Sequence, residues 1–185
     1  MSIKELTEDK HSEAHNTPFM QAVLQQKLPE TAWTDYLFQR FIIYSALETV
    51  ARDIGMLEES LGLERALKLY QDMKARCQRD FPALRPETVA YSRYLLDLAG
   101  NKDAIIAHVY TLHMGDLSGG QEIKQLIPGP HRSLEFDDIS GLKAKIRMQV
   151  NDVMAEESRI AYDWIIRLLH SYDDQLIDCN IAASD

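Results

Sequence analysis

Apolar residues recur at Trp33, Tyr36, Leu37, Phe41, Tyr44, Leu47, Ala51 and Ile54, in steps of three and four that fit an α-helix and no strand. Pro29 precedes that run and Gly62 follows it, while Pro86 and Gly100 bracket another, so these helix breakers fall at element ends. Ser2 and Glu5 form a capping-box pair opening a helix that reaches Asn16-Thr17-Pro18 and carries both His11 and His15. A short apolar stretch from Phe19 to Leu24 follows it. Further helical patterns cover Glu64 to Arg79, Ser140 to Met154 and Glu156 to Ile177, and one capped by Asn101 runs on to Ile127. A connector from Pro128 to Asp138 contains Pro-Gly-Pro. No segment alternates with the period of a strand, and neither a repeat nor an interdomain linker interrupts the chain. The expectation is one all-α domain spanning residues 1–185, with seven or eight helices around a single core.

The net charge of −9 argues against nonspecific attraction to nucleic acid or an anionic membrane, so an anionic ligand needs a local basic cluster. Cys77 and Cys179 stand far apart without a CxxC or CxxCH pattern, which removes iron–sulfur, covalently attached haem and zinc-ribbon readings. Charge begins at Lys4, and no run approaches the roughly 18 apolar residues of a membrane span. The chain reads as soluble and cytoplasmic, with reduced thiols.

Three glycines break the pattern, because Gly115, Gly119 and Gly120 fall inside a helical segment rather than at its end. Each costs about 1 kcal/mol against alanine there, roughly 3 kcal/mol together. Gly115 and Gly119 are i and i+4, and a helix face bare of side chains lets its backbone approach a large flat ligand. The same residues also suit a plain turn joining two helices at Ser118-Gly119-Gly120. Leu117-Ser118-Gly119-Gly120-Gln121 further spells the ABC ATPase signature, but no GxxxxGK[ST] loop or preceding strand accompanies it. A stronger combination joins the glycine face to His11, since neutral imidazole is an ordinary axial ligand for haem iron. Lys143 and Arg147, i and i+4 with Lys145 nearby, suit the propionates of such a ring, or else a solvated helix face.

The segment Tyr110-Thr111-Leu112-His113-Met114-Gly115-Asp116-Leu117-Ser118-Gly119-Gly120-Gln121 closely resembles the distal-helix motif of haem oxygenases. His11-Ser12-Glu13-Ala14-His15-Asn16 with Phe19-Met20 resembles their proximal-histidine segment, and Tyr44-Ser45-Ala46-Leu47-Glu48 a third. The resemblance implies an all-α bundle holding b-type haem, both cofactor and substrate, between a proximal and a kinked distal helix. It implies ring opening to biliverdin with release of carbon monoxide and ferrous iron, using dioxygen and external electrons. In that frame His11 is the proximal iron ligand, and Tyr110, Gly115, Ser118 and Gly119 contact the ring. Lys4, Lys143 and Arg147 pair with the propionates. Asp116 is the key catalytic residue, ordering water that carries protons, with Tyr44 as a second member. The close glycine backbone then selects the cleavage position by packing. Outside the motif, Asp116 suits an exposed helical carboxylate, and Tyr44 and Tyr110 suit core tyrosines with satisfied hydroxyls. His108 reads as structural or solvent-facing, and His131 and His170 have no role.

The chain departs from the family pattern at several positions. His15 stands one turn after His11 where a carboxylate or amide is usual, which changes the hydrogen bonding open to His11 and gives iron a competing ligand. The i, i+4 histidines also fit a transition-metal site lacking an obvious third ligand. Leu112 and His113 replace a frequent arginine and tyrosine, and Glu8 replaces a propionate-pairing lysine. The expected molecule is a monomer that takes electrons from a ferredoxin, flavodoxin or reductase docked on Lys124, Arg132, Lys143 and Arg147. From another class stands a non-catalytic haem-binding carrier or sensor, which needs His11 and the cations but not Asp116. A thiamin-degrading or di-iron enzyme on a similar scaffold needs a nucleophilic cysteine or Glu-x-x-His pairs, and neither is apparent.

Overall fold

The capping box forms as expected: the Ser2 hydroxyl accepts from the Glu5 N–H, and the Glu5 carboxylate takes the Ser2 N–H at 2.6 Å. In this computed structural model, which describes residues 1–59, 62–77 and 81–176, the cap opens α1 (Ile3–Leu6). Thr7 then interrupts the expected single helix, its hydroxyl bonding back to the Ile3 carbonyl at 2.9 Å, and α2 (Glu8–His15) carries both histidines. Pro18 stands at the start of α3 (Pro18–Leu24). Arg79, Ile177 and Cys179 lie outside the described residues.

The long apolar run folds as α4 (Glu30–Asp53), burying Trp33, Leu37, Tyr44, Leu47 and Ala51. It ends well before Gly62, because Gly55 takes the left-handed conformation at φ +77° that closes a helix, and the short α5 (Met56–Glu59) follows. Glu48 of α4 then caps α6 (Ala66–Arg76), its carboxylate accepting the N–H groups of Arg65 and, at 2.8 Å, of Ala66.

The centre of the molecule is α8 (Lys102–Leu117), capped by Asn101 as expected and buried without a break from Ala104 to His113. A helix buried all round must be enclosed by others. Among its neighbours are α4, α10 (Ile139–Gln149) and α11 (Ala155–His170). α7 (Pro86–Asp97) joins through a buried network: His108 Nε2 donates to Glu157 at 2.9 Å, and its Nδ1 accepts from the Tyr91 hydroxyl at 2.8 Å. Tyr94 adds a 2.6 Å bond to the same carboxylate. His108 is therefore structural, and the solvent-facing option is excluded by its complete burial.

The expected helix through Ile127 breaks at Ser118, where φ −116° and ψ −89° separate α8 from α9 (Gly119–Leu126). The connector after α9 is pinned to α6. Asp72 accepts the Arg132 and Ser133 N–H groups at 2.9 Å each, and the buried Arg65 guanidinium donates to the carbonyls of Leu63, Ser133 and Glu135. The expected helix to Met154 stops at Gln149, and a separate 3-10 turn over Asp152–Met154, capped by Asn151, leads into α11. Among the described residues at least eleven α-helical segments and two 3-10 turns stand where seven or eight helices were expected, and no strand occurs among them.

Candidate active site

Where α4 crosses α8, Tyr44 donates its hydroxyl hydrogen to Asp116 Oδ2 at 2.6 Å. Arg40, one turn earlier on α4, places Nη2 at 2.5 Å from Oδ1 and 2.7 Å from Oδ2, and 3.1 Å from the Tyr44 oxygen. Asp116 is buried, so the reading as an exposed helical carboxylate fails. Burial opposes the Arg40 charge, but the Asp116 carboxylate and the Tyr44 and Tyr36 phenols outweigh it and hold the guanidinium above its ordinary value. Burial, then the Asp116 charge, drives the Tyr44 phenol far up, so it stays a proton donor.

His113 lies beside this group, its ring 5.1 Å from that of Tyr44. Its Nδ1–H donates to the Val109 carbonyl at 3.1 Å, which leaves Nε2 a bare acceptor, buried and meeting no donor among the described residues. Burial brings His113 down from 6.5 to about 4, against the pull of Asp116. The folded protein thus resists a proton that the unfolded chain takes up. Stability from this source is complete above about pH 6.5 and is lost as pH falls toward 4, about 3 kcal/mol in all. Urea unfolding of His113→Phe from pH 7 to 4 is expected to show a shallower fall than the parent. His108, also lowered by burial, acts in both proteins, and equal slopes would refute the assignment to His113.

None of the three unusual glycines has a positive φ, so none is present for backbone freedom. A Cβ built on Gly115 or Gly119 meets nothing within 4 Å, whereas one on Gly120 comes within 2.9 Å of Leu134 Cδ2. Gly120 is therefore a packing glycine. Gly115, Ser118 and Gly119 are exposed and form an open face beside the buried Asp116. Both sequence readings hold in part: the chain turns at Ser118, and a bare surface flanks the turn.

The histidine helix is held differently, since α2 buries no residue and rests on α11 through charge. Arg159 grips Asp9 at 2.6 and 2.7 Å, and Lys10 reaches Asp163 at 2.8 Å. His11 is exposed, edge-on to Tyr162 at 6.3 Å and 6.4 Å from the ring of His15. Among the described residues no group of three His, Cys, Asp or Glu side chains can hold a metal ion, so the histidine pair has no third ligand. The buried Tyr110 phenol of α8 lies within the electrostatic reach of Arg147 on α10 and Glu8 on α2, bringing three helices to one region. Lys4 and Arg147 are exposed and Lys143 partly so, and none pairs with a carboxylate among the described residues. Lys124 and Arg132 instead lie 3.8 Å from Glu135 and Asp72.

The sequence model described as Heme oxygenase matches residues 1–161. The chain belongs to the haem oxygenase family. It is 28% identical to the heme oxygenase 1 of Gallus gallus over 156 residues, which are 76% of this chain and 53% of that one. With the Bos taurus heme oxygenase 1 it shares 30% over 138 residues, 68% of this chain and 47% of that one. The chain thus spans about half the length of these relatives. The crystal structure of heme oxygenase-1 from Synechocystis in complex with heme superposes with a TM-score of 0.86 at 21% identity, covering 98% of this chain and 95% of that one. Heme oxygenase-2 from the same cyanobacterium, in complex with heme and NO, gives 0.83 at 24% identity over 94% and 84%. The fold is therefore that of the haem oxygenases.

An exposed imidazole, cations without carboxylate partners and a glycine face with open space fit a flat, anionic, iron-bearing ring. The structure joins Tyr44 directly to Asp116 and adds Arg40, which sequence reasoning missed. Its only sequence signal is its place one turn before Tyr44.

Proposed function

We propose that this haem oxygenase family member opens haem to biliverdin with release of carbon monoxide and ferrous iron, using dioxygen and electrons from a separate donor. The observation that carries this reading is the buried Tyr44–Asp116 pair beside a helix face on which Gly115 and Gly119 leave open space. Bound haem supplies both the redox iron and the ring that is opened. His11 holds the iron, Lys4, Lys143 and Arg147 hold the propionates, and Tyr110, Gly115, Ser118 and Gly119 contact the ring. Asp116 accepts hydrogen bonds from water and Tyr44 secures its carboxylate, giving protons a defined route. A haem carrier or sensor would use His11 and the cations but has no use for a buried carboxylate–phenol pair. Adding haemin to the protein, then reductant with catalase present, is expected to give a 1:1 histidine-type spectrum that converts to a bilin. Stable haem without conversion would favour the carrier.

The reading takes residues 1–185 as one haem oxygenase-like domain, working as a monomer in the cytoplasm. No described helix is long and apolar enough to cross a membrane. A ferredoxin, flavodoxin or reductase supplies electrons, and an acidic donor docks on cations of α9 and α10. Lys124→Glu with Lys145→Glu, which spares the haem-holding residues, is expected to slow turnover with such a donor about tenfold. Turnover with ascorbate should be unchanged, and equal loss with both reductants would refute this docking site.

A further inference from the structure

We propose that Arg40 is the positioning residue for Asp116, supplied by α4 because α8 carries no cation of its own near that carboxylate. The neighbours of Asp116 along the chain are Leu112, His113, Met114, Gly115, Leu117, Ser118, Gly119 and Gly120. His113 is neutral, with its one N–H committed to Val109. The charged and titratable groups acting on or with Asp116 are Tyr36, Arg40 and Tyr44 on α4, Arg65 before α6, and His113. Arg65 is spent elsewhere, donating to the carbonyls of Gly62, Leu63, Ser133 and Glu135 and lying over the Phe136 ring at 4.0 Å. Arg40 alone of these cations touches the carboxylate.

The contact is built to fix a direction. Arg40 lies 5.7 and 5.1 Å from the ring centroids of Tyr36 and Tyr44, and only 12% of its side chain and 8% of that of Asp116 are exposed. Its Nη2 spans both carboxylate oxygens, while Tyr44 claims Oδ2 only. Oδ1 is thereby held in place by Arg40 with lone-pair capacity to spare. Arg40 acts through Asp116, holding its carboxylate in one orientation.

The catalytic meaning of this assignment rests on the proposed haem opening; the geometry does not, and the experiment separates them. Arg40→Leu, Asp116→Asn, their combination, and Arg40→Leu with Leu112→Arg are compared in the full chain. The last pair returns a cation at i, i+4 from Asp116 on α8 itself. All are expected to bind haemin 1:1. Arg40→Leu should lose bilin formation about tenfold or more. Adding it to Asp116→Asn should cost nothing further, and Leu112→Arg should restore most of the loss. On ferric haem complexes that are not turning over, Arg40→Leu should move the pH midpoint of the visible spectrum by about one unit, and Leu112→Arg should move it back. Multiplying losses, or an unmoved midpoint, overturn the assignment. Should the parent bind haem without opening it, the proposed function falls and the midpoints alone decide on Arg40. In the haem-free proteins, urea unfolding is expected to show Arg40 and Asp116 coupled, and additive effects would overturn the pairing whatever the haem experiments give. Arg40→Lys, which keeps the charge but replaces the planar guanidinium with a shorter, freely rotating ammonium, carries the same readouts if Arg40→Leu does not fold.

Discussion

Asp116→Asn is expected to bind haem as the parent does and to open it at least about 10²-fold more slowly. The change is isosteric, so the backbone, the open glycine face and His11 are untouched. What changes is the pattern of donors and acceptors. Arg40 and Tyr44 both donate toward Oδ2, and Arg40 also donates to Oδ1 at 2.5 Å. An amide offers one acceptor oxygen. Placed at Oδ2, it leaves its NH2 group facing the Arg40 nitrogen at Oδ1, donor against donor. Turned over, its NH2 group meets Arg40 Nη2 at the Oδ2 position, and Tyr44 can no longer donate there. Either way the amide leaves a buried guanidinium without its counter-charge, which should lower stability by about 3 kcal/mol. The checks are a haemin titration for binding, single-turnover loss of haem absorbance with ascorbate and catalase for opening, and urea unfolding for stability. Parental opening by the asparagine protein would remove Asp116 from the chemistry and leave the carrier reading in its place.

The sequence revealed what depends on local spacing. The periodicity around Trp33 to Ile54, the Ser2–Glu5 box and the Asn101 cap are each decided within one or two turns, and all formed. The anomaly of Gly115 and Gly119 was also legible, because glycine in a helix needs an external reason. Residues whose meaning is tertiary were hidden. Arg40 stands 76 positions from Asp116 and reads locally as an ordinary polar residue in an amphipathic helix. Arg65 and Asp72 carry no local signal, and both are buried where they satisfy backbone groups of the connector after α9. The early end of α4 was missed for another reason: Gly55 and Gly62 are both left-handed stops, and the first one the chain meets ends the helix. The expected basic patch also shrinks, since Lys124 and Arg132 stand near carboxylates whose proximity no spacing reveals.

The three glycines should respond to substitution in opposite ways. Gly115 sits within α8 with open space around its missing Cβ and no positive φ, so Gly115→Ala should stabilise the haem-free protein by about 1 kcal/mol. Gly119→Leu should fold, because the position is exposed and nothing lies within 4 Å of the added Cβ to obstruct the start of the side chain. Both fill the face on which a flat ligand would lie, and a gap closed by a side chain forces the ring away from the backbone. Haem affinity should fall modestly for the alanine and about tenfold or more for the leucine. Gly120→Ala reverses the pattern. Its Cβ would come within 2.9 Å of Leu134 Cδ2, in a buried contact between α9 and the connector, and should cost about 1 kcal/mol of stability while sparing haem affinity. Urea unfolding without haem, paired with haemin titration, separates the two effects in each variant. A purely structural origin for all three glycines would make stability and haem affinity fall together, and unchanged haem binding by Gly119→Leu would show that the open face is not where the ring lies.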